Sequence, residues 1–80
     1  MRIEIRLLTQ MKKYLPDPDL AGDTRSLEIK NNATVKDLFK ELGIPPDTPH
    51  VIMLNQRQGT SADTLKAGDR VTVFPPVGGG

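Results

Sequence analysis

The sequence predicts an α+β fold, a mixed sheet of four to five strands packed on one main helix. Three observations predict it. Several short segments alternate polar and apolar residues with the period of two that marks a half-buried strand. One segment carries an apolar stripe at helical spacing, and the 80-residue length holds a single compact unit. The expected organisation is one domain over residues 1–77 and a flexible glycine tail over 78–80.

The first strand spans Arg2 to Leu8, where Ile3, Ile5 and Leu7 alternate with Arg2, Glu4, Arg6 and Leu8. From Thr9 to Leu15 the spacing of Met11, Tyr14 and Leu15 suits a short helix. Pro16 and Pro18 cut it off, because proline lacks the amide donor that a continuing helix needs. Pro16 to Thr24 is turn chemistry throughout. Arg25 to Lys30 then resumes the alternation with Leu27 and Ile29 inward, a second strand reached through a long loop.

The main helix carries the clearest signals. Asn31-Asn32 breaks the strand, and Thr34 with Asp37 three residues later forms a capping box with a shorter acid in the Glu position. Val35, Leu38, Phe39 and Leu42 make one apolar stripe, and Gly43 supplies a left-handed stop. Beyond Ile44-Pro45-Pro46, the run from His50 to Asn55 is apolar on both faces, which predicts a more central strand covered on each side. Gln56 to Ala62 reads as a polar turn region, and Lys66-Ala67-Gly68-Asp69 as a turn with glycine where a positive φ is wanted. The last strand, Arg70 to Pro75, sends Val71 and Val73 to the core and Arg70, Thr72 and Phe74 to the other face. The first and last strands are expected to pair in parallel at the centre. A mixed sheet around one helix resembles the β-grasp, or ubiquitin-like, arrangement, reached here by pattern and likeness together.

Composition narrows the function. Apolar residues make up 36% of the chain, with one Tyr, two Phe and no Trp, so the core is small and aliphatic and no large buried pocket is expected. Eleven Lys and Arg against ten Asp and Glu give a net charge of +1, far from the concentrated positive field of a nucleic-acid binder. No cysteine is present, which removes disulfides, thiolate nucleophiles and Cys-ligated zinc together. The opening Met-Arg-Ile-Glu-Ile-Arg is a charged alternation rather than a hydrophobic signal, so a soluble, cytoplasmic chain without a membrane partner is expected.

A search for catalytic groups returns little. His50 is the only imidazole, and at the head of an apolar strand it reads as a surface or satisfied residue; Ser26 and Ser61 have no evident partner. Asp17, Asp19 and Asp23 suggest calcium only superficially, since the EF-hand pattern requires a bidentate acid that is missing, and a solvated turn-rich loop accounts for them. No metal site and no bound cofactor is expected.

What stands out is the end of the chain, Gly78-Gly79-Gly80 after the proline-stiffened exit Pro75-Pro76. Residues without side chains can thread a channel too narrow for a Cβ, and the terminal carboxylate is sterically open. A frayed terminus gives the same residues, and on the glycines alone both readings stand. The sequence surroundings add to them. The stretch from Asp63 to Gly80 resembles the C-terminal signature of the MoaD/ThiS family of sulfur carriers, especially its MoaD branch, the small subunits of molybdopterin synthase. Leu7-Leu8-Thr9 with Lys13-Tyr14-Leu15, Asn32 to Leu38, and Leu54-Asn55 are similar to family elements in order and spacing. Gly78 replaces the small residue that usually precedes the diglycine, and Pro16 and Pro18 interrupt what is a fuller helix in longer members.

The resemblance implies a carrier that is not catalytic alone. A ubiquitin-activating-enzyme-like adenylyltransferase would use ATP to adenylate Gly80, and a sulfur donor enzyme would convert the adenylate to a thiocarboxylate. The tail, Val77, Gly78 and Gly79, would insert into the large subunit of molybdopterin synthase for molybdenum or tungsten cofactor biosynthesis. Alternatives are a carrier for thiamine thiazole or another pathway, and a ubiquitin-like modifier conjugated through Gly80. The free chain is expected to be monomeric. For partner docking, the sheet face opposite the helix is expected to carry Leu8, Arg70, Thr72, Phe74, Pro75 and Pro76, with either Ile52/Leu54 or Val51/Met53 and with Arg2 and Arg6 at the rim. Phe74 folded beneath the loop from Gln56 to Thr64 is the competing expectation.

Overall fold

Alternation along Arg2–Leu7 turns every second side chain to one face, and the strand that forms there, β1, buries Ile3, Ile5 and Leu7 completely. The computed structural model describes residues 1–76. After β1 come a 3-10 helix at Thr9–Tyr14, strand β2 at Thr24–Glu28, helix α1 at Val35–Leu42, and strands β3 at Val51–Leu54, β4 at Arg57–Gln58 and β5 at Arg70–Phe74. The five strands lie in the order β2-β1-β5-β3-β4. β1 and β5 pair in parallel from Glu4 opposite Arg70 to Leu7 opposite Val73, and every other pairing is antiparallel. This is the β-grasp topology, with the parallel pair at its centre.

Helix α1 starts and stops where its local chemistry dictates. The Asp37 amide donates to Thr34 Oγ1 at 3.2 Å and the Thr34 amide donates to Asp37 Oδ2 at 3.0 Å, a complete capping box built with Asp. Two more first-turn amides are taken by the segment that follows β4, Val35 N by the Asp63 carbonyl at 3.0 Å and Lys36 N by the Ser61 carbonyl at 2.9 Å. Gly43 ends the helix at φ 75°. Val35, Leu38 and Phe39 join Ile3, Ile5, Leu7, Ile52, Leu54, Leu65, Val71 and Val73 in one core.

Two tight joints fix the rest. Asn55, at φ 58° between β3 and β4, donates from Nδ2 to Asp69 Oδ1 at 3.1 Å and accepts the Arg70 amide on Oδ1 at 3.0 Å, tying the end of β3 to the start of β5. Gly68 takes the left-handed φ of 85° that the turn before β5 requires.

Four expectations need correction. β3 is not central: it lies beside the two-residue edge strand β4, and only Ile52 and Leu54 are buried while Val51 and Met53 stay half-exposed. α1 covers a single face, so the apolar run contributes one row to the core and one to open surface. β4 falls inside the stretch read as a turn, being too short for any alternation to register. Phe74 is not beneath the loop after β3. That loop folds to the helix side, where a Cβ on Gly59 would meet Leu54 Cβ at 3.1 Å and Ile52 Cγ2 at 3.4 Å. β2 is shorter than expected, ending at Glu28; Leu27, opposite Ile3, and Ile29 do face the core, but the buried residue within β2 itself is Arg25, only 7% exposed opposite Ile5. The cause is the loop before it. The Arg25 guanidinium donates to the carbonyls of Pro16 (3.0 Å), Asp17 (3.2 Å), Leu20 (2.8 Å), Ala21 (3.3 Å) and Thr24 (2.9 Å), satisfying a segment that has no regular partner of its own.

Candidate functional site

The face of the sheet that α1 leaves open is set by strand register. Thr72 lies between Arg6 on β1 and Met53 on β3, Phe74 opposite Val51, and Arg70 opposite Glu4. The half-exposed pair on this face is therefore Val51/Met53. Leu8 follows β1 directly, held by its amide donating to the Val73 carbonyl at 3.0 Å, and stands half-exposed beside Phe74 at the end where β5 leaves the sheet.

Leu8, Phe74, Pro75 and Pro76 line one open depression of about 670 Å³ together with Thr9 and Gln10. A second depression of about 270 Å³, also bordered by Gln10, Pro75 and Pro76, is formed with Met11, Lys13, Tyr14, Thr48 and Pro49. The exit of β5 thus borders two hollows that both draw on the 3-10 helix, the smaller one completed by Thr48 and Pro49 ahead of β3. Thr9 makes the corner. It takes φ 50°, a left-handed conformation that costs a β-branched residue about 1–2 kcal/mol, and so turns the chain off the sheet into the 3-10 helix. Nothing in the sequence marks Thr9 or Gln10 as rim residues; the forced corner after Leu8 exists only once β1 has paired.

The structure brings Leu8, Phe74, Pro75 and Pro76 together, and puts Thr72 and Arg70 further back along β5 on the same face. Val77, Gly78, Gly79 and Gly80 lie outside the described residues. The arginines expected to rim the face are each matched to a carboxylate: Arg2 to Glu28 at 3.2 Å, Arg6 to Asp23 at 3.4 Å, and Arg70 to Glu4. The Thr24 hydroxyl, together with the Arg6 guanidinium, holds the Asp23 carboxyl below the usual carboxylate range. Charge on this face is therefore alternating rather than cationic, and the apolar residues at the β5 exit are its distinctive part.

Elsewhere the chemistry is structural. His50 donates from Nδ1 to the Thr48 carbonyl and packs edge-on to the Phe39 ring, centroids 4.9 Å apart. Among the described residues no group of His, Asp or Glu is arranged to hold a metal ion, and no helix is long and apolar enough to cross a membrane.

A sequence profile of the ThiS family matches residues 17–80. The chain belongs to the ThiS family. No curated protein matches this family member, whereas solved structures do. SAMP1 from Haloferax volcanii is 21% identical with a TM-score of 0.72, each chain covered fully. A putative molybdopterin converting factor subunit 1 from Pyrococcus furiosus is 23% identical with a TM-score of 0.72, over 95% of this chain and 98% of that one. The complex of subunits 1 and 2 of the molybdopterin-converting factor from Helicobacter pylori contains a chain 22% identical, TM-score 0.65, each covered fully. At these identities the likeness shows the shared β-grasp fold.

Proposed function

We propose that this ThiS-family chain is a sulfur carrier whose terminal Gly80 is adenylated, converted to a thiocarboxylate, and used to donate sulfur in molybdopterin biosynthesis. The single observation that carries the reading is that the family match runs through Gly80 itself, so the glycine ending belongs to the matched region. The chemistry asks little of the carrier. A Gly80 carboxylate oxygen attacks the α-phosphorus of ATP and pyrophosphate leaves. A donor persulfide sulfur then attacks the acyl carbon, AMP leaves, and a thiol reductant cleaves the sulfur–sulfur bond to free the thiocarboxylate.

On this reading the chain is not an enzyme, and ATP belongs to the activating adenylyltransferase. Val77, Gly78 and Gly79 are the segment threaded into the partner, and Leu8, Arg70, Thr72, Phe74, Pro75 and Pro76 form the surface that seats against it. The two hollows bordered by Pro75-Pro76 support this use, since they leave open surface beside the β5 exit. The Helicobacter pylori subunit complex supports a large synthase subunit as a further partner.

The likeness to SAMP1, a small archaeal modifier protein, favours a second reading in which the same adenylate is passed to lysines of target proteins. One experiment separates the two. The chain is incubated with ATP, an activating enzyme and a sulfur source, and its intact mass is measured; a gain of about 16 Da, one oxygen replaced by sulfur, that disappears when Gly80 is deleted is the expected result. Isopeptide-linked adducts on other proteins without that gain would replace the carrier reading by the modifier reading. Phe74→Asp is expected to slow the gain without unfolding the domain.

A further inference from the structure

The Pro16–Asp23 loop presents one side chain in an unusual setting. Leu20 is 57% exposed, the one exposed large apolar side chain among the described residues, and it stands between Asp17, Asp19 and Asp23. It is not loose: the Leu20 amide donates to the Asp17 carbonyl at 3.0 Å and its carbonyl accepts from Arg25 Nη2 at 2.8 Å. The buried guanidinium therefore holds the loop so that an apolar knob projects with carboxylates beside it. Asp23 is matched to Arg6, whereas among the described residues Asp17 and Asp19 have no ion pair.

A complementary hole lies elsewhere in the molecule. Between α1 and the β3–β4 hairpin is a cleft of about 380 Å³ with Phe39, Ile44 and Ile52 at its floor and Lys36, Lys40 and His50 at its rim. The two lysines are one helical turn apart, and among the described residues neither is in an ion pair. The first-turn amides of α1 are already taken by Asp63, Ser61 and Thr34, so the rim offers flexible ammonium groups and no amide cradle. That suits carboxylates flanking an apolar side chain better than a phosphate. The volume lies at the small end of ligand sites, enough for a leucine-sized anchor. None of its lining residues lines the hollows beside Pro75-Pro76.

We infer that the α1/β3–β4 cleft is a self-association site that accepts Leu20, with Asp17 and Asp19, from a second copy of this chain. Knob and hole lie on different surface patches, so the contact is head-to-tail and leaves a free knob at one end and a free hole at the other. The interface is small, which puts the dissociation constant on the order of 1 mM and keeps the protein monomeric when dilute. It does not depend on Gly80 chemistry.

The test uses amide NMR spectra of the labelled full chain from about 0.05 to 2 mM, bracketing that affinity. Resonances of Lys36, Phe39, Lys40 and His50 are expected to move together with those of Asp19, Leu20 and Ala21, and to move less in high salt. Leu20→Ser, and separately the pair Lys36→Glu with Lys40→Glu, are expected to abolish the shifts while leaving thermal melting unchanged. Adding unlabelled Lys36→Glu/Lys40→Glu protein to labelled Leu20→Ser protein pairs an intact knob with an intact cleft, and should restore shifts at the cleft alone. Absence of concentration-dependent shifts, shifts confined to Leu8 and Phe74, or failure of the mixed pair to restore them would overturn the inference.

Discussion

Replacing Arg25 by methionine keeps most of the apolar stem and removes the guanidinium. Five backbone carbonyls within 3.3 Å, four in the loop and that of Thr24 at the head of β2, lose their donor. Hydrogen bonds to a charged group contribute about 1.5–3 kcal/mol each, which would give roughly 7–15 kcal/mol if none were recovered. Most are recovered, because the loop residues are largely exposed and their carbonyls regain water, and because burying a guanidinium has its own desolvation cost. The net loss expected is about 3 kcal/mol, which for a domain of this size lowers the melting temperature by about 12–24 °C. Arg25→Lys keeps the charge but offers a compact ammonium that cannot span carbonyls on both sides of the loop, and should recover less than half of the loss. Urea and thermal unfolding followed by circular dichroism measure both variants. If Arg25→Met unfolds within about 0.5 kcal/mol of the parent, the loop carbonyls do not need their donor and the reasoning fails.

Acid should weaken the fold through Asp37 as well as Asp23. The Thr34 amide, assisted by the nearby Lys30 ammonium, holds the Asp37 carboxyl below the usual range. A depressed folded-state value means stability present at neutral pH is lost as pH falls below about 4, so Asp37→Asn should flatten the acid limb of a stability–pH curve. Gly59→Ala forces a Cβ to within 3.1 Å of Leu54 and 3.2 Å of Asp63 Oδ2, and a loss of about 1–3 kcal/mol in denaturant titration is expected from that crowding.

What was legible in the sequence was local. β1 and β5 declare themselves because each alternates against a single buried face, and α1 because its cap, stripe and stop fall within ten consecutive residues, 34–43. β3 misled because a run apolar on both faces has the same pattern whether both faces are covered or one is kept open. Only pairing decides that. The role of Arg25 is not legible in the sequence, since its partners are backbone carbonyls, which leave no side-chain signature. Most of the docking face could be gathered from alternation alone; the choice of Val51/Met53 over Ile52/Leu54 had to wait for the register against Phe74 and Thr72.

The central position of β5 also has a mechanical consequence. Its neighbour β1 runs parallel to it, so a pull on the end of β5 against an anchored β1 slides the two strands along each other, loading their hydrogen bonds side by side. Peeling an edge strand breaks such bonds one after another, whereas sliding requires them to yield together, and β3 grips the opposite side of β5 as well. A partner that tugs on this exit pulls directly on β5, and works against hydrogen bonds on both of its flanks, to β1 and to β3, that must yield together.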